Sequence, residues 1–439
     1  MKIFSRKTMV VLALVSVGAG AGFWLPQISY EQATAATDYQ QLEKFSRVME
    51  SVRQSYVEEV DDQKLIEGAL SGMLSNLDPH SAYLNEEAFK QMQVHTSGEF
   101  GGLGIEIVSA QGGIKVIAPI EDTPADRAGI KAGDLIIKID DMLARDISLG
   151  EAVKMMRGKP GSSIYLTIFR QTEDKPLRIK IERDVIRVKS VKSDLVAPHI
   201  AYLRVTQFQE HTTEELKQQF LALKKRSDGV IKGAILDLRN NPGGLLNQAI
   251  EVSDLFLESG GIVSTKSRVG RNMSFSADAG DILEGLPLLV LINQGSASAS
   301  EIVSGALQDN KRAIVLGTRS FGKGSVQQVI PLGDGTAYKM TTSLYYTPSG
   351  RSIQATGIEP DIDVEARVVH FEEAKTEDEF ISEKDLKGHL GNGNGKPDAS
   401  DDKVADGSVE TATDMNTRLQ QDYQLQRARD LILGLTALK

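Results

Sequence analysis

The sequence predicts a multidomain α/β protein, and three patterns support this fold class. Residues 189–367 alternate apolar strands with amphipathic helical segments, which is typical of an α/β core. Residues 98–188 contain short strands separated by glycine turns, whereas residues 38–95 repeat apolar side chains at helical spacing. A chain of 439 residues is long enough for two or three domains, each with its own core.

The N-terminus has the features of a secretory signal peptide. Three basic residues in positions 1–7 precede an apolar run over residues 9–25, and the small residues 33–35 supply a cleavage pattern. We therefore predict that residues 1–36 are a signal peptide and that the protein is exported to the bacterial periplasm or cell envelope. The alternative is an uncleaved membrane tether, because the apolar run approaches the roughly 18 residues that a span requires.

Composition excludes several classes of function. The chain has no cysteine, which rules out disulfides, a thiolate nucleophile and a lipid-modified cysteine. Its six histidines show no compact metal-binding spacing, so the sequence predicts no metal site. The net charge is −10, and loss of residues 1–36, with three positive residues and one negative residue, makes it −12. Such an acidic chain argues against nucleic acid as the main partner.

Residues 37–97 are predicted to form an N-terminal helical domain. Five apolar residues between positions 42 and 52 fall at the three-to-four spacing of one buried helix face. A second helix over residues 64–77 ends before Asp78-Pro79, because proline disfavours helix in the residue ahead of it. We predict that this domain packs without chemistry, and that His80 caps or packs in the turn.

Residues 98–188 resemble a PDZ domain in the order of their strands, glycine turns and single helix. The loop Gly102-Leu103-Gly104-Ile105 matches the carboxylate-binding loop of that family. Consecutive backbone N–H groups at such a glycine turn can bind the terminal carboxylate of a peptide, which then adds as a strand to the sheet edge. The resemblance therefore implies recognition of protein C-termini.

Residues 189–367 are predicted to form the α/β core, and two further segments complete the chain. Thr212 with Glu215 makes a capping box at the start of a core helix. Residues 368–411 are predicted to be an acidic low-complexity linker, because runs of charge and glycine cannot build a core. Residues 412–439 are predicted to end in a helix that packs on the body or on another subunit.

The chemistry is concentrated in two segments of the core. The continuous apolar strand 288–292 leads into a serine-rich turn at the start of a helix, and Lys323 follows between two glycines beside Phe321. A serine hydroxyl needs a base to become a nucleophile. Lysine can serve only if burial lowers its pKa from about 10.4 towards 7–8. This pairing indicates a serine hydrolase with a lysine base.

Spacing alone does not choose among three serines, 296, 298 and 300. Any of them can instead cap the helix that follows, a frequent role of serine. The loop 240–244 follows a buried strand and is a candidate source of an oxyanion-stabilising N–H group. Residues 317–324 nearly match a phosphate-binding loop but lack its final Ser/Thr, so no nucleotide partner is predicted.

Taken together, the ordered motifs resemble the carboxy-terminal processing peptidases, which are serine proteases that contain a PDZ domain. Besides the PDZ region, the matching segments are 77–83, 237–244, 296–301, 321–324 with Gln327, 357–361 and 382–390. The resemblance implies a crotonase-like (ββα-type) protease core with an inserted PDZ domain and helical segments at both ends.

The resemblance also assigns roles to individual residues. It implies Ser298 as the nucleophile, Lys323, 25 residues later, as the general base, and Gln327 as the residue that orients the lysine. Ala299 and Gly244, with Gly243 as a further candidate, would supply the N–H groups of the oxyanion hole. Arg157 is a candidate for coupling PDZ occupancy to the active site, or else a surface arginine at a helix end.

The implied function is an exported serine endopeptidase that cleaves near the apolar C-terminal tails of protein substrates, without a metal or cofactor. One alternative is a non-catalytic PDZ scaffold with a degenerate protease core. Another is a serine hydrolase whose base is one of the histidines. Helices at both ends would also allow a homodimer.

Overall fold

The computed structural model describes residues 27–367 and 415–437. Most of the predicted signal peptide, the predicted acidic linker 368–411 with its matching segment 382–390, and residues 412–414 and 438–439 lie outside the described residues. The chain divides into two compact units, residues 1–76 and 77–439.

In its described part, residues 27–76, the first unit consists of the helices α1 (Gln27–Ser55) and α2 (Asp62–Ser75). Asp61 caps α2 by accepting a hydrogen bond from the Gln63 N–H at 2.9 Å. The prediction of a buried face on α1 is wrong for this unit. Leu42, Phe45 and Val48 are 62%, 45% and 60% exposed, because no described element of the unit covers them. Within the described part of the chain, no helix has the length and apolar character needed to cross a bilayer.

The second unit begins with a turn at residues 77–81, followed by β1 (Ala82–Leu84) and α3 (Glu86–Ser97). The Asp78 carboxylate organises this turn by accepting hydrogen bonds from His80 N–H, Ser81 N–H and Ser81 Oγ at 2.7–2.9 Å. The capping residue is therefore Asp78, whereas His80 contributes only its backbone N–H to the turn.

Next comes a small β-structure with antiparallel pairing. Its sheet contains β3 (Ile105–Ala110), β4 (Gly113–Pro119), β5 (Leu135–Ile139), β6 (Met142–Leu143), β7 (Ser163–Phe169) and β8 (Leu177–Glu182). A separate two-stranded ladder joins β2 (Glu99–Gly102) to β9 (Asp184–Arg187). The helices are α4 (Pro124–Arg127), a 3₁₀ turn (Ala144–Asp146) and α5 (Leu149–Met156). Ser148 and Glu151 form a capping box at the start of α5.

A six-stranded sheet forms the centre of the second unit. Its strand order is β10 (Val191–Ala197), β11 (Ile200–Val205), β12 (Gly233–Asp237), β15 (Leu288–Ile292), β16 (Ile314–Gly317) and β19 (Ile362–Asp363). The strands from β11 to β19 are parallel, and β10 is antiparallel to β11. Every residue of β12 and β15 is buried, as expected for parallel strands covered on both faces.

Helices cover the two faces of this sheet. One face packs against α6 (Thr212–Arg226), α7 (Leu246–Asp254) and α8 (Ala299–Asp309). The other face packs against α9 (Met415–Gln421) and α10 (Tyr423–Ala437), whose Leu425, Ala428 and Ile432 are fully buried. A bidentate ion pair from Arg239 to Asp422, at 2.7 and 2.8 Å, ties the start of α10 to the end of β12.

A second, antiparallel sheet is built around the long strand β18 (Ala337–Tyr346). Along one edge β18 pairs with β17 (Ser325–Pro331), and along the other with β1 and β13 (Gly261–Ser267). The strand β14 (Met273–Ser276) extends the sheet beyond β13. The pairing of β1 brings the turn 77–81 next to β17 and β18, although the paired residues Ala82 and Lys339 are 257 positions apart in sequence (339 − 82).

The buried face of α10 provides a stability test. Ile432→Ala removes a fully buried side chain that packs against Gly233, so we expect a loss of about 3 kcal/mol in the free energy of unfolding, as for other large-to-small core substitutions. Leu433→Ala, at the 39% exposed neighbouring position, is the control and should cost less than about 1 kcal/mol. Urea unfolding would measure both, and equal losses would contradict this packing.

Candidate active site

The serine-rich turn joins the end of β15 to the start of α8. Ser298 occupies this elbow with φ 55° and ψ −111°, a conformation that side chains other than glycine rarely adopt. Such backbone strain costs about 1–3 kcal/mol and persists only where surrounding contacts impose it. The structure therefore holds Ser298 in a costly conformation at the N-terminus of a buried helix.

Hydrogen bonding distinguishes the three candidate serines. The Ser296 hydroxyl donates to the Leu238 carbonyl at 2.9 Å, and the Ser300 hydroxyl donates to the Asn241 carbonyl at 3.0 Å. Both hydroxyls are thus committed to the backbone. Ser298 Oγ instead lies 3.5 Å from the buried Tyr345 Oη and donates to no backbone carbonyl among the described residues. Of the three, the Ser298 hydroxyl is the one available for chemistry.

A buried carboxylate, which the sequence did not single out, joins the nucleophile elbow to the lysine loop. Glu301 Oε2 accepts hydrogen bonds from the Ser298 N–H at 2.7 Å and the Lys323 N–H at 2.9 Å. Its Oε1 accepts from Ser320 Oγ and the Gly322 N–H, each at 2.6 Å. We call this set of four hydrogen bonds the Glu301 clamp. Two backbone segments 25 residues apart therefore lie side by side on one carboxylate oxygen.

Lys323 lies in a half-buried position on this loop. Burial is the main cause that lowers its pKa, and the positive charge of Lys339 lowers it further, whereas Glu301 and Asp78 act in the opposite direction. Phe321, two residues before Lys323, is 65% exposed, so the desolvation of the amine comes from other neighbours. The lowered pKa is the property that a lysine base requires.

Gln327 lies on β17, but its side chain does not hydrogen-bond to Lys323. Its Nε2 donates to Ser325 Oγ at 2.9 Å, to the Ser325 carbonyl at 3.3 Å and to Thr341 Oγ1 at 3.3 Å. Within the described ranges, its Oε1 accepts no hydrogen bond. The amide is therefore fixed at its donor end and open at its acceptor end.

The two glycine candidates for the oxyanion hole differ in what their amides do. The Gly243 N–H donates to Asn241 Oδ1 at 2.9 Å and is therefore occupied. The N–H groups of Gly244 and Ala299 have no partner in the part of the chain that the structure describes. A Cβ on Gly243 would come within 2.8 Å of Ser298 Cβ, which shows how closely this loop approaches the elbow.

His80 is nearer to this site than its sequence position suggested. Burial is the main cause that lowers the pKa of His80. The positive charges of Lys323 and Lys339 lower this pKa further, whereas the negative charge of Asp78 raises it. Its ring makes no hydrogen bond with the described residues. The signal that could have located His80 is the pairing of Ala82 with Lys339, which no local sequence pattern reveals.

The predicted peptide-binding loop borders a groove between β3 and α5. The groove has a cavity of about 160 Å³ that is lined mainly by apolar side chains. Gly104 has φ +76°, and a Cβ there would lie 2.3 Å from Thr123 Cβ, so only glycine fits. The N–H groups of Leu103 and Gly104 have no partner among the described residues, which suits a carboxylate ligand.

Arg157 lies at the end of this groove. Its guanidinium stacks on Phe100 at 4.7 Å from the ring centroid and donates to Gln91 Oε1 at 3.0 Å. Phe100 belongs to β2 and Gln91 to α3, so Arg157 bridges the groove to the helix that follows β1. The side chain is thus engaged in specific contacts with β2 and α3 in this structure.

The arrangement is suited to acyl transfer. A serine hydroxyl that donates to no backbone carbonyl, an amine with a lowered pKa and two unpaired N–H groups are components that such chemistry requires. Within the described residues, no cluster of acidic and histidine side chains could hold a metal ion.

Three parts of the chain match known protein families. Residues 199–364 match Peptidase family S41, residues 101–181 match the PDZ domain, and residues 21–88 match the Activating protease CtpB N-terminal domain.

Curated relatives cover most of the chain. A carboxy-terminal-processing protease of Bartonella bacilliformis is 52% identical over 354 residues, which are 80% of this chain and 81% of the relative. The carboxy-terminal processing protease CtpA of Bacillus subtilis is 34% identical over 336 residues, covering 76% and 71% of the two chains. Among solved structures, a photosystem II D1 C-terminal processing protease is similar, with 28% identity, a TM-score of 0.43, and coverage of 73% of this chain and 92% of that one.

The Glu301 clamp can be tested by an isosteric substitution. Glu301→Gln places an amide donor against N–H donors, so we expect a large loss of activity and a loss of about 2 kcal/mol in the free energy of unfolding. The exposed Glu214→Gln on α6 is the matched control and should change neither. Peptidase assays with thermal unfolding would measure both effects, and a fully active Glu301→Gln would show that the clamp is dispensable.

Proposed function

Because this chain belongs to the carboxy-terminal processing proteases of peptidase family S41, we propose that this serine peptidase uses an acyl-enzyme on Ser298 to cleave protein substrates near their C-terminal tails. The observation that carries the proposal is the Glu301 clamp, because it places the Ser298 elbow and the Lys323 loop on one carboxylate oxygen.

In the first half of the reaction, the neutral amine of Lys323 takes the proton of Ser298 Oγ as that oxygen attacks the scissile carbonyl. The N–H groups of Ala299 and Gly244 stabilise the negative charge on the carbonyl oxygen. Lys323 then returns the proton to the leaving amine, and an ester to Ser298 remains.

In the second half, water attacks this ester with Lys323 again acting as base. Ser298 Oγ leaves and regains a proton, and the product carboxylate is released. Gln327 orients the lysine during both halves. The PDZ domain contributes by binding an apolar C-terminal tail at Gly102-Leu103-Gly104-Ile105, which delivers the chain to the site.

We also propose the core type, the export and the oligomeric state of the protein. The core over residues 189–367 is proposed to be crotonase-like, with the PDZ domain at 98–188 inserted before it. Export is proposed from the signal-like segment 1–36. The exposed apolar face of α1 supports a homodimer through the terminal helices, since a second copy would bury it.

Two substitutions test the catalytic assignment. Ser298→Ala and Lys323→Ala should each lower kcat by about 10⁴-fold or more, because nucleophile and base act as a unit. Mass spectrometry of the products of an unstructured test protein would measure cleavage. Fluorescence anisotropy with a labelled C-terminal peptide should show unchanged binding.

His80→Gln separates this assignment from the histidine-base alternative and should leave most of the activity. If His80→Gln were as inactive as Lys323→Ala, histidine would be the base. If cleavage survived both Ser298→Ala and Lys323→Ala, the assigned dyad would be wrong.

The pH profile provides an independent test. Activity requires the neutral amine, so kcat/KM should rise with pH through the pKa of Lys323, which lies below the ordinary value for lysine. Lys339→Met removes a positive charge that lowers this pKa, so the acidic limb should move to higher pH. Lys180→Met, on β8, serves as the control. A limb that stays in place in Lys339→Met would argue against Lys323 as the titrating group.

A further inference from the structure

We propose that Asp78 and Thr341 are positioning residues that set the orientation of the Gln327 amide, so that its carbonyl oxygen is presented to the Lys323 amine. The inference rests on the proposed function of Lys323 as the base. Thr341 lies on β18 and Asp78 lies in the turn that precedes β1, so both would act on the base through Gln327.

The Asp78 carboxylate, when ionised, can only accept hydrogen bonds. Hydrogen bonds from Ser81, His80 and Thr341 lower its pKa against the opposing effect of burial, so it is ionised at neutral pH. Thr341 Oγ1 lies 3.2 Å from Asp78 Oδ1 and must therefore be the donor in that hydrogen bond. The single hydroxyl proton of Thr341 is therefore donated to the Asp78 carboxylate.

The direction of the next hydrogen bond follows from this. Thr341 Oγ1 has no second proton, so it can only accept from Gln327, whose Nε2 lies 3.3 Å away. Ser325 Oγ accepts from the same nitrogen at 2.9 Å. The amide nitrogen of Gln327 is thus held at Thr341 and Ser325, which leaves Oε1 as its open acceptor. A lysine side chain offers only donors, and Lys323 lies four residues before Gln327.

Strand pairing holds Asp78, Thr341 and Gln327 together, and we call these three hydrogen-bonded residues the relay. Gln327 and Thr341 are direct partners in the β17–β18 ladder. On its other edge, β18 pairs with β1 at residues 337–339 and with β13 at residues 343–346. Thr341 falls between these two ladders, and its N–H donates to Ser81 Oγ at 3.1 Å. Ser81 Oγ in turn donates to Asp78 Oδ2 at 2.7 Å, so the turn is attached to Thr341 through both Ser81 and Asp78.

The charged groups that face Lys323 determine how the relay affects titration. Asp78, Glu301, Lys339 and His80 all interact with its charge. In the proposed active arrangement Lys323 donates to Gln327 Oε1, and this hydrogen bond, which the present structure does not contain, favours the ammonium over the amine. Loss of that hydrogen bond therefore lowers the pKa of Lys323 and moves the acidic limb of the rate profile to lower pH. A purely structural role of Thr341 would not move this limb.

The test compares three substitutions on β18. Thr341→Val removes the hydroxyl with little change in shape, and we expect kcat to fall about 10-fold or more because the amide is no longer fixed, with KM unchanged. Thr341→Ser keeps the hydroxyl and should restore a rate near that of the wild type. Thr342→Val makes the same change at the next residue of the strand and should have no effect. The acidic limb should move to lower pH in Thr341→Val alone.

A double-mutant cycle shows whether Thr341 acts through Gln327. In a Gln327→Ala background, Thr341→Val should cause no further loss of kcat, because the group it positions is absent. A loss as large as in the wild type would overturn the proposal, as would a fully active Thr341→Val. Thermal unfolding of each variant identifies a loss that arises from misfolding. Activity that survives Ser298→Ala refutes the proposed function, whereas an inactive Ser298→Ala beside an unaffected Thr341→Val refutes only this relay.

Discussion

The buried carboxylate of Glu301 is the constraint on which the site depends. A carboxylate without solvent exposure is costly unless hydrogen-bond donors surround it, and here burial raises its pKa even though four hydrogen bonds favour the charged form. Those donors come from the elbow of Ser298 and from the loop of Ser320, Gly322 and Lys323. Neither segment can move alone without leaving the carboxylate unsatisfied. The proposed nucleophile and the proposed base are therefore fixed by the same interaction.

The central sheet supplies the other half of this arrangement. The strands β12, β15 and β16 are neighbours and parallel, so their carboxyl ends meet at one edge. The glycine loop 240–244 follows β12, the serine turn follows β15, and the lysine loop follows β16. A binding site at the carboxyl ends of parallel strands is a general property of open α/β sheets. In this protein, each of three adjacent strands delivers one component of the site.

Local sequence patterns predicted much of this arrangement. The apolar run 288–292 before a helix start indicated the elbow, and the glycines beside Lys323 indicated a close approach. The choice of Ser298 over its neighbours depends on hydrogen bonds to carbonyls far away in sequence, at Leu238 and Asn241. The occupied amide of Gly243 likewise depends on a side chain, Asn241, whose orientation no spacing reveals. The apolar face of α1 shows the reverse case, since its periodicity predicted burial that the described unit does not provide.

Non-local pairing explains what the sequence could not indicate. The turn at Asp78 reaches the site because β1 pairs with β18. The paired residues of these strands are separated in sequence by more than half the length of the chain. The Glu301 clamp had a local signal, a glutamate three residues after Ser298, but that spacing usually marks an ordinary helix cap. The same glutamate here binds a second loop, which only the folded chain shows.

The ion pair between Arg239 and Asp422 links the last described helices to the loop 240–244 of the site. The buried Arg239 guanidinium directly precedes the loop 240–244, and its carboxylate partners are Asp237 and Asp422. Without α9, α10 and the Asp422 between them, Arg239 would lose one of its two carboxylate partners. The face of the sheet that carries Ile235 and Leu289 would also be exposed to water. Loss of these two helices would therefore reach the loop 240–244 through the unbalanced charge of Arg239 as well as through the exposed sheet face.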